Sequence, residues 1–309
     1  MARPPTRNGQ PPPAPFIVEP IGGAHTYTLV LLHGLSSNGE AFGRELCEAG
    51  FSSSGRTLPQ LLPTARFVFP TAPRRRSSAF GRSMLTQWFD IARLPDPAYR
   101  RELQLPGLQD TAQTLIKLLR QEQERVAPSN MILGGISQGC AASVSVLLSQ
   151  HPVVQGLGGF VGMCGYLPFQ GDLDAALTAA EEANQPVPDE EDFFGHNDGD
   201  SNIAETDPMA CAAAFEQDLL DLPQDRITEV SSNEAGTVAT ARAVPVFFGH
   251  GREDDKKPVA LAEAMAATMR KANYAVDLKI YEELGHWYKV PDEIDDIIAF
   301  IRMAVGWTV

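Results

Sequence analysis

A serine framed by two glycines, Gly135-Ile136-Ser137-Gln138-Gly139, carries the strongest chemical signal in this sequence. An apolar run from Met131 to Gly134 leads into it and reads as a buried strand. A run of small and apolar residues, Ala141 to Ser149, leads out and reads as a helix ending before Pro152. Between strand and helix, G-x-S-x-G makes a tight turn that pushes the serine hydroxyl out of the sheet edge. A serine hydroxyl is a poor nucleophile near neutral pH, so it needs a histidine base, and the base needs an acid to fix its tautomer. On sheets that use this turn the chain order is serine, acid, histidine.

Six histidines can be tested against that order. His25 and His33 precede Ser137; His151 sits at the end of the elbow helix, several turns from the hydroxyl. His196 lies in an acidic segment, and between Ser137 and His250 only that segment supplies acids. His286 remains, in a Gly-flanked loop after the last strand, and is the expected base. The loop after the preceding strand holds Glu253, Asp254 and Asp255, and spacing leaves the choice among them open. The developing oxyanion needs two backbone N–H groups aimed at one point. One is expected from Gln138, acting through its main chain, and the other from the loop His33-Gly34-Leu35.

These groups need a scaffold of strands whose ends meet. Strands are predicted at Tyr27–Leu32, Arg66–Pro70, Met131–Gly134, Gly158–Cys164, Ala243–Gly249 and Ala275–Tyr281. Between them, helical periodicity marks 40–48, 58–62, 107–126, 141–149 and 259–272, with a last helix after Pro291. Strands alternating with helices indicate a mostly parallel, doubly wound α/β sheet covered on both faces. Arg74-Arg75-Arg76 falls in a polar loop and reads as solvated surface; Trp88-Phe89-Asp90 interrupts that loop as a packing aromatic or a pocket wall.

Residues 1–15 are rich in Pro and Arg, lack an apolar signal core, and are expected to be a disordered tail. The domain is then 16–309, interrupted by an acidic insertion at 171–242 with helices near 172–183 and 209–220. Residues 172–234 hold 18 Asp and Glu against one basic residue, Arg226. That segment nets −17 and the remainder about +3, and the overall formal net charge of −14 argues against nucleic acid as a partner. The insertion is read as a lid or pocket rim, the alternative being a disordered surface loop with no catalytic consequence; its middle, Gln185 to Asp207, is too polar to pack, and as a rim its charge would disfavour anionic substrates. Four scattered cysteines, Cys47, Cys140, Cys164 and Cys211, show no pairing pattern and suggest a reducing, cytoplasmic address. No membrane span, metal-ligand spacing or phosphate-binding glycine loop is read, so no cofactor and no metal are expected.

Together these pieces resemble the acyl-protein thioesterase, lysophospholipase and carboxylesterase family of α/β-hydrolases. The matching stretches are Leu32-His33-Gly34-Leu35, Trp88-Phe89-Asp90, Gly134 through Gly139, Tyr166-Leu167-Pro168, His250-Gly251 with Asp254 three residues on, and Gly285-His286. The resemblance covers about residues 26–168 and 243–305. It implies an α/β-hydrolase fold, an Asp254 acid completing a Ser137–His286–Asp254 triad, Leu35 and Gln138 as oxyanion donors, and Trp88 lining the acyl or alcohol pocket. The implied reaction is hydrolysis of carboxylic esters or thioesters through an acyl-enzyme, on a small-molecule ester or an acylated substrate, with transient membrane contact. The alternatives are a carboxylesterase for small or secondary-metabolite esters and a non-catalytic binding protein of the same fold. The last usually lacks the serine or the histidine, and both are present. The chain departs from the family in its long insertion, in Asp255-Lys256-Lys257 where proline and an apolar pair are usual, and in Ala2 where some members carry a lipidated cysteine.

Overall fold

A computed structural model describes residues 13–184, 207–223 and 244–308. In chain order the elements begin with β1 (Phe16–Val18), β2 (Tyr27–Leu32), α1 (Gly39–Arg44), α2 (Leu58–Leu61) and β3 (Ala65–Phe69). A hairpin, β4 (Arg74–Ser77) and β5 (Ser83–Thr86), precedes the long α3 (Leu105–Gln123). Then come β6 (Met131–Ile136), α4 (Gln138–Leu148), β7 (Gly159–Met163), α5 (Gln170–Ala183) and α6 (Pro208–Leu219). The chain closes with β8 (Val246–Gly251), α7 (Val259–Lys271), β9 (Val276–Tyr281) and α8 (Asp292–Phe300).

Seven strands make one sheet in the order β1-β3-β2-β6-β7-β8-β9, parallel throughout except for the antiparallel β1 edge. Strand alternation splits the apolar residues between two cores. Val30, Leu32, Leu133, Phe160 and Phe248 face one core, closed by α3, α4, α5, α6 and α7. Leu29, Leu31, Phe67, Ile132 and Phe247 face the other, closed by α1, α2 and α8. With both faces covered, a central strand carries apolar side chains on both, which is why Leu29–Leu32 of β2 reads as an unbroken run. The α/β-hydrolase architecture is therefore present, with the elbow strand β6 in the middle of the sheet.

Three stretches differ from the sequence reading. β1 was not foreseen: three half-buried residues give too short a pattern. Arg74–Ser77 is a strand, not a loop; its charges hide an alternation in which Arg74 and Arg76 face solvent and Arg75 pairs with Asp110 of α3 at 3.1 Å. The helix expected over 40–48 changes to a π-helical turn at Glu45–Ala49. The two helices foreseen in the insertion are present, but Leu173 and Leu177 of α5 and Ala212 of α6 belong to the larger core. Gln217 of α6 donates to the Ser149 carbonyl at 2.8 Å. That bond lies at the end of α4 remote from Ser137, on the order of 15 Å along the helix. Their small alanines concealed how tightly these helices pack on the sheet layer. The middle of the expected lid, residues 185–206, lies outside the described residues, as do residues 1–12 of the expected tail.

Candidate active site

Ser137 stands at the junction of β6 and α4 with φ 55° and ψ −118°, a conformation that costs a non-glycine residue on the order of 1–3 kcal/mol. The turn is held by Ser137 N–H donating to the Met163 carbonyl at 2.8 Å. It also presses on β2: a Cβ at Gly135 or Gly139 would meet the Leu32 carbonyl oxygen at 2.5 or 2.3 Å. Both glycines of the motif are therefore fixed by close approach.

His286, in the loop between β9 and α8, sets its Nε2 2.8 Å from Ser137 Oγ and its Nδ1 2.6 Å from Asp254 Oδ2. The partners fix the tautomer, with the hydroxyl donating to Nε2 and Nδ1–H donating to the carboxylate. Of the three acids left open by spacing, Asp254 is buried against His286, while Glu253 and Asp255 are exposed. The second oxygen, Oδ1, accepts the backbone N–H groups of Lys256 and Lys257 at 3.0 and 2.8 Å. His250 Nε2 donates to the Lys257 carbonyl at 2.7 Å and lies 3.3 Å from Asp254 Oδ2. Burial works against ionisation of Asp254, but the bonds from His250, His286 and the Lys257 backbone outweigh it and hold the carboxyl well below the usual range. A permanently ionised, fully paired acid beside a histidine is what a base-assisted serine requires.

The loop after β2 meets the elbow at Gly34, where an added Cβ would lie 3.4 Å from Ser137 Cβ. Half-buried Leu35 and the first turn of α4 thus flank the serine from two sides. His33 is structural: it is fully buried, its Nδ1 donates to the Gly34 carbonyl at 2.6 Å, and its Nε2 accepts from Ala72 N–H at 3.0 Å. Burial lowers its pKa to about 4, so the ring stays neutral. Trp88 is 2 % exposed and forms a buried strut in place of an open pocket wall. Its indole N–H donates to the His33 carbonyl at 2.8 Å. The sequence reading missed the means by which this strut is held. The Gln138 side chain accepts from Trp88 N–H at 2.9 Å and donates to the Phe89 carbonyl at 2.8 Å. A glutamine that matters through its main chain gives no separate sequence signal for a second, side-chain role.

A prediction follows for that clamp. Gln138→Ala keeps the backbone N–H but leaves a buried donor and a buried acceptor unpaired, a loss of about 3 kcal/mol in stability. Turnover should fall about tenfold as the Trp88 strut and the loop it supports loosen. Chemical denaturation and steady-state kinetics on the one variant measure both; wild-type stability would leave the clamp without consequence.

The loop carrying His286 is pinned from beneath. Glu293 of α8 is fully buried; its Oε2 accepts Lys289 N–H at 2.8 Å, and its Oε1 has no hydrogen-bond partner. Burial raises its pKa from 4.5 to about 8. The folded protein therefore binds one more proton than the unfolded chain between those values, and stability falls as pH rises from 4.5 to about 8. Glu293→Gln should flatten that part of the curve, read as melting temperature against pH. An unchanged slope would remove Glu293 from the account.

Cys164 Sγ, an Asp254 oxygen and a His286 nitrogen lie within 4.8 Å of one another. These atoms are already engaged. The thiol donates to the Trp287 carbonyl at 3.0 Å, burial pushes its pKa well up, and the other two atoms share the 2.6 Å bond. The set is a hydrogen-bonded acid–base pair with a thiol beside it.

The sequence profile of the phospholipase/carboxylesterase family of α/β-hydrolases matches residues 13–187 and 226–305. The chain belongs to this family. Among curated relatives, acyl-protein thioesterase 1 of Yarrowia lipolytica is 30% identical over 194 residues, 62% of this chain and 77% of its own length. The Gibberella zeae protein of the same name is 24% identical over 290 residues, 93% of this chain and 94% of its own. Among solved structures, Zea mays acyl-protein thioesterase 2 superposes with a TM-score of 0.61 at 24% identity, covering 94% of this chain and 99% of that one. The maize likeness is one of fold. As a phospholipase/carboxylesterase family member, the chain is an ester or thioester hydrolase.

Proposed function

We propose that this family member cleaves acyl esters or thioesters with Ser137 as nucleophile, His286 as general base and acid, and Asp254 as the group that orients and stabilises the imidazolium. The observation that carries the reading is the continuous Ser137 Oγ–His286–Asp254 hydrogen-bond line of 2.8 and 2.6 Å. Ser137 Oγ attacks the acyl carbon as His286 Nε2 takes its proton. The oxyanion is received by the backbone N–H groups of Gln138 and Leu35. Collapse expels the alcohol or thiol, which leaves with the proton from His286, and an acyl-serine remains. Water then attacks that ester with His286 again as base, releasing the acid and regenerating Ser137.

The relatives' name, acyl-protein thioesterase, supports an acylated thioester as the substrate class. No helix among the described residues is long and apolar enough to cross a membrane. A cytoplasmic address is part of the same proposal, in keeping with buried free cysteines at Cys47, Cys140 and Cys164. The domain is read as 16–309, with α5 and α6 as its inserted crossover. The test is labelling with a serine-directed fluorophosphonate followed by matched thioesters and oxygen esters from acetyl to palmitoyl. Modification at Ser137 alone, with hydrolysis of the series, is the expected result. Modification elsewhere would remove the elbow from the mechanism.

A further inference from the structure

Strand β9 ends the sheet, and its outer edge carries a pattern that hydrolysis does not use. Val276, Leu278 and Ile280 are half-buried, while Asp277 and Lys279 between them are exposed. Val276 and Leu278 pack on the larger core. The two charges lie on the opposite face beside α8, where Lys279 Nζ comes within 4.0 Å of Asp296 Oδ1. Asp277 makes no ion pair with a described residue. The Ala275 and Tyr281 carbonyls accept from β8, from the N–H groups of Val246 and Arg252. Backbone direction alternates along a strand, so Val276, Leu278 and Ile280 turn their N–H and C=O groups away from β8. Among the described residues Arg270 alone reaches these groups by a hydrogen bond, its Nη2 donating to the Val276 carbonyl at 2.9 Å. An open edge of this kind is a template for another strand.

We propose that this edge is the docking surface for a second copy of the chain, joined β9 to β9 in antiparallel register about a two-fold axis at Leu278. The argument is complementarity. About that axis Leu278 faces itself, Val276 faces Ile280 of the second copy, and Asp277 faces Lys279 of the second copy. Every pair matches, apolar with apolar on one face and acid with base on the other. The backbone agrees independently, because the outward groups of Val276, Leu278 and Ile280 are the ones an antiparallel ladder in this register pairs. Asp277 and Lys279 then fall at the intervening positions, where facing side chains approach most closely.

Charges on an edge strand ordinarily deter pairing. Here they deter every register but one. Moving the axis to Asp277 or to Lys279 keeps the ladder but sets like charges face to face, which is destabilising. The Val276 carbonyl has two lone pairs and can hold Arg270 and a strand partner together. Met303, 85% exposed, lines the groove between β9 and α8 alongside this edge and supplies apolar surface for the second copy to cover. The elbow strand β6 lies three strands away. An antiparallel junction points the carboxyl ends of the two sets of strands in opposite directions, so both Ser137 sites stay open.

The experiment is sedimentation velocity of the full chain over a dilution series, with Lys279→Asp and Asp277→Lys beside the wild type. The wild type should run as a dimer that dissociates on dilution. Lys279→Asp sets acid against acid and Asp277→Lys base against base, so each alone should raise the dimer Kd about ten- to a hundredfold. Mixed together, the two variants restore both cross-strand pairs and should form a heterodimer of wild-type affinity. A wild type that stays monomeric at every concentration overturns the proposal. A dimer that neither reversal weakens overturns it as well, because another face then holds it, and so does a mixture that fails to associate. Hydrogen exchange on the wild type checks the same edge without a variant. The amides of Val276, Leu278 and Ile280 should lose protection as the protein is diluted. Protection that persists in the monomer overturns the proposal, because the chain would then cover its own edge.

Discussion

Ser137→Ala should lower kcat by about 10⁴- to 10⁶-fold with the circular dichroism spectrum and melting temperature nearly unchanged. The alanine keeps the backbone N–H bond to Met163 and the glycine contacts with Leu32, so the elbow retains its shape. What is lost is the atom that forms the acyl-enzyme. A small residual rate over water should persist, because the oxyanion donors and the histidine remain to assist direct attack by water. Turnover within tenfold of wild type would show that the nucleophile lies elsewhere. Fluorophosphonate labelling retained by the variant would show the same.

The second large effect separates two adjacent acids. Asp254→Asn should cost about 10⁴-fold in kcat, and Asp255→Asn little. The geometry explains why an isosteric change is so damaging. Oδ1 of Asp254 accepts two backbone N–H groups, so an asparagine must place its carbonyl oxygen there. Its NH₂ then faces His286 Nδ1, a donor against a donor. The ring must move its proton to Nε2, which can no longer accept from Ser137. Asp255 is exposed and takes no part in the line. Parallel steady-state kinetics on the two variants check this; equal impairment, or the reverse order, would require another acid.

What could be read in advance followed from physical necessity. Strands buried on both faces carry apolar side chains on both, so β2 and β6 announced themselves, and a turn pressed on Leu32 must carry glycine. Ser137 was read from its glycine-framed turn and His286 by elimination on chain order. Asp254 was singled out by family resemblance, since three acids in a row carry no local mark. The discriminating feature is tertiary: the backbone of Lys256 and Lys257 folds back onto one carboxylate. Other features stayed hidden because charge or polarity masked burial. Arg75 and Lys257 look solvated in a linear string, and Glu293 looks like a helix-start acid, yet the last two are buried within reach of the site. Gln138 concealed a clamp behind a main-chain role, and Trp88, expected at a pocket wall, is enclosed as a strut.

The pairing of α5 with α6 has a consequence for how this chain can vary. The two helices pack on each other and on the sheet layer, so the ends of whatever joins them are already fixed in space. Closing a loop between fixed ends costs little more as the loop lengthens, about 0.6 kcal/mol for each doubling. The crossover between β7 and β8 is therefore a permissive splice point, where segments can be gained, lost or exchanged while the strand that delivers Asp254 stays in register. A foreign peptide or a whole reporter domain placed there should leave the hydrolase folded.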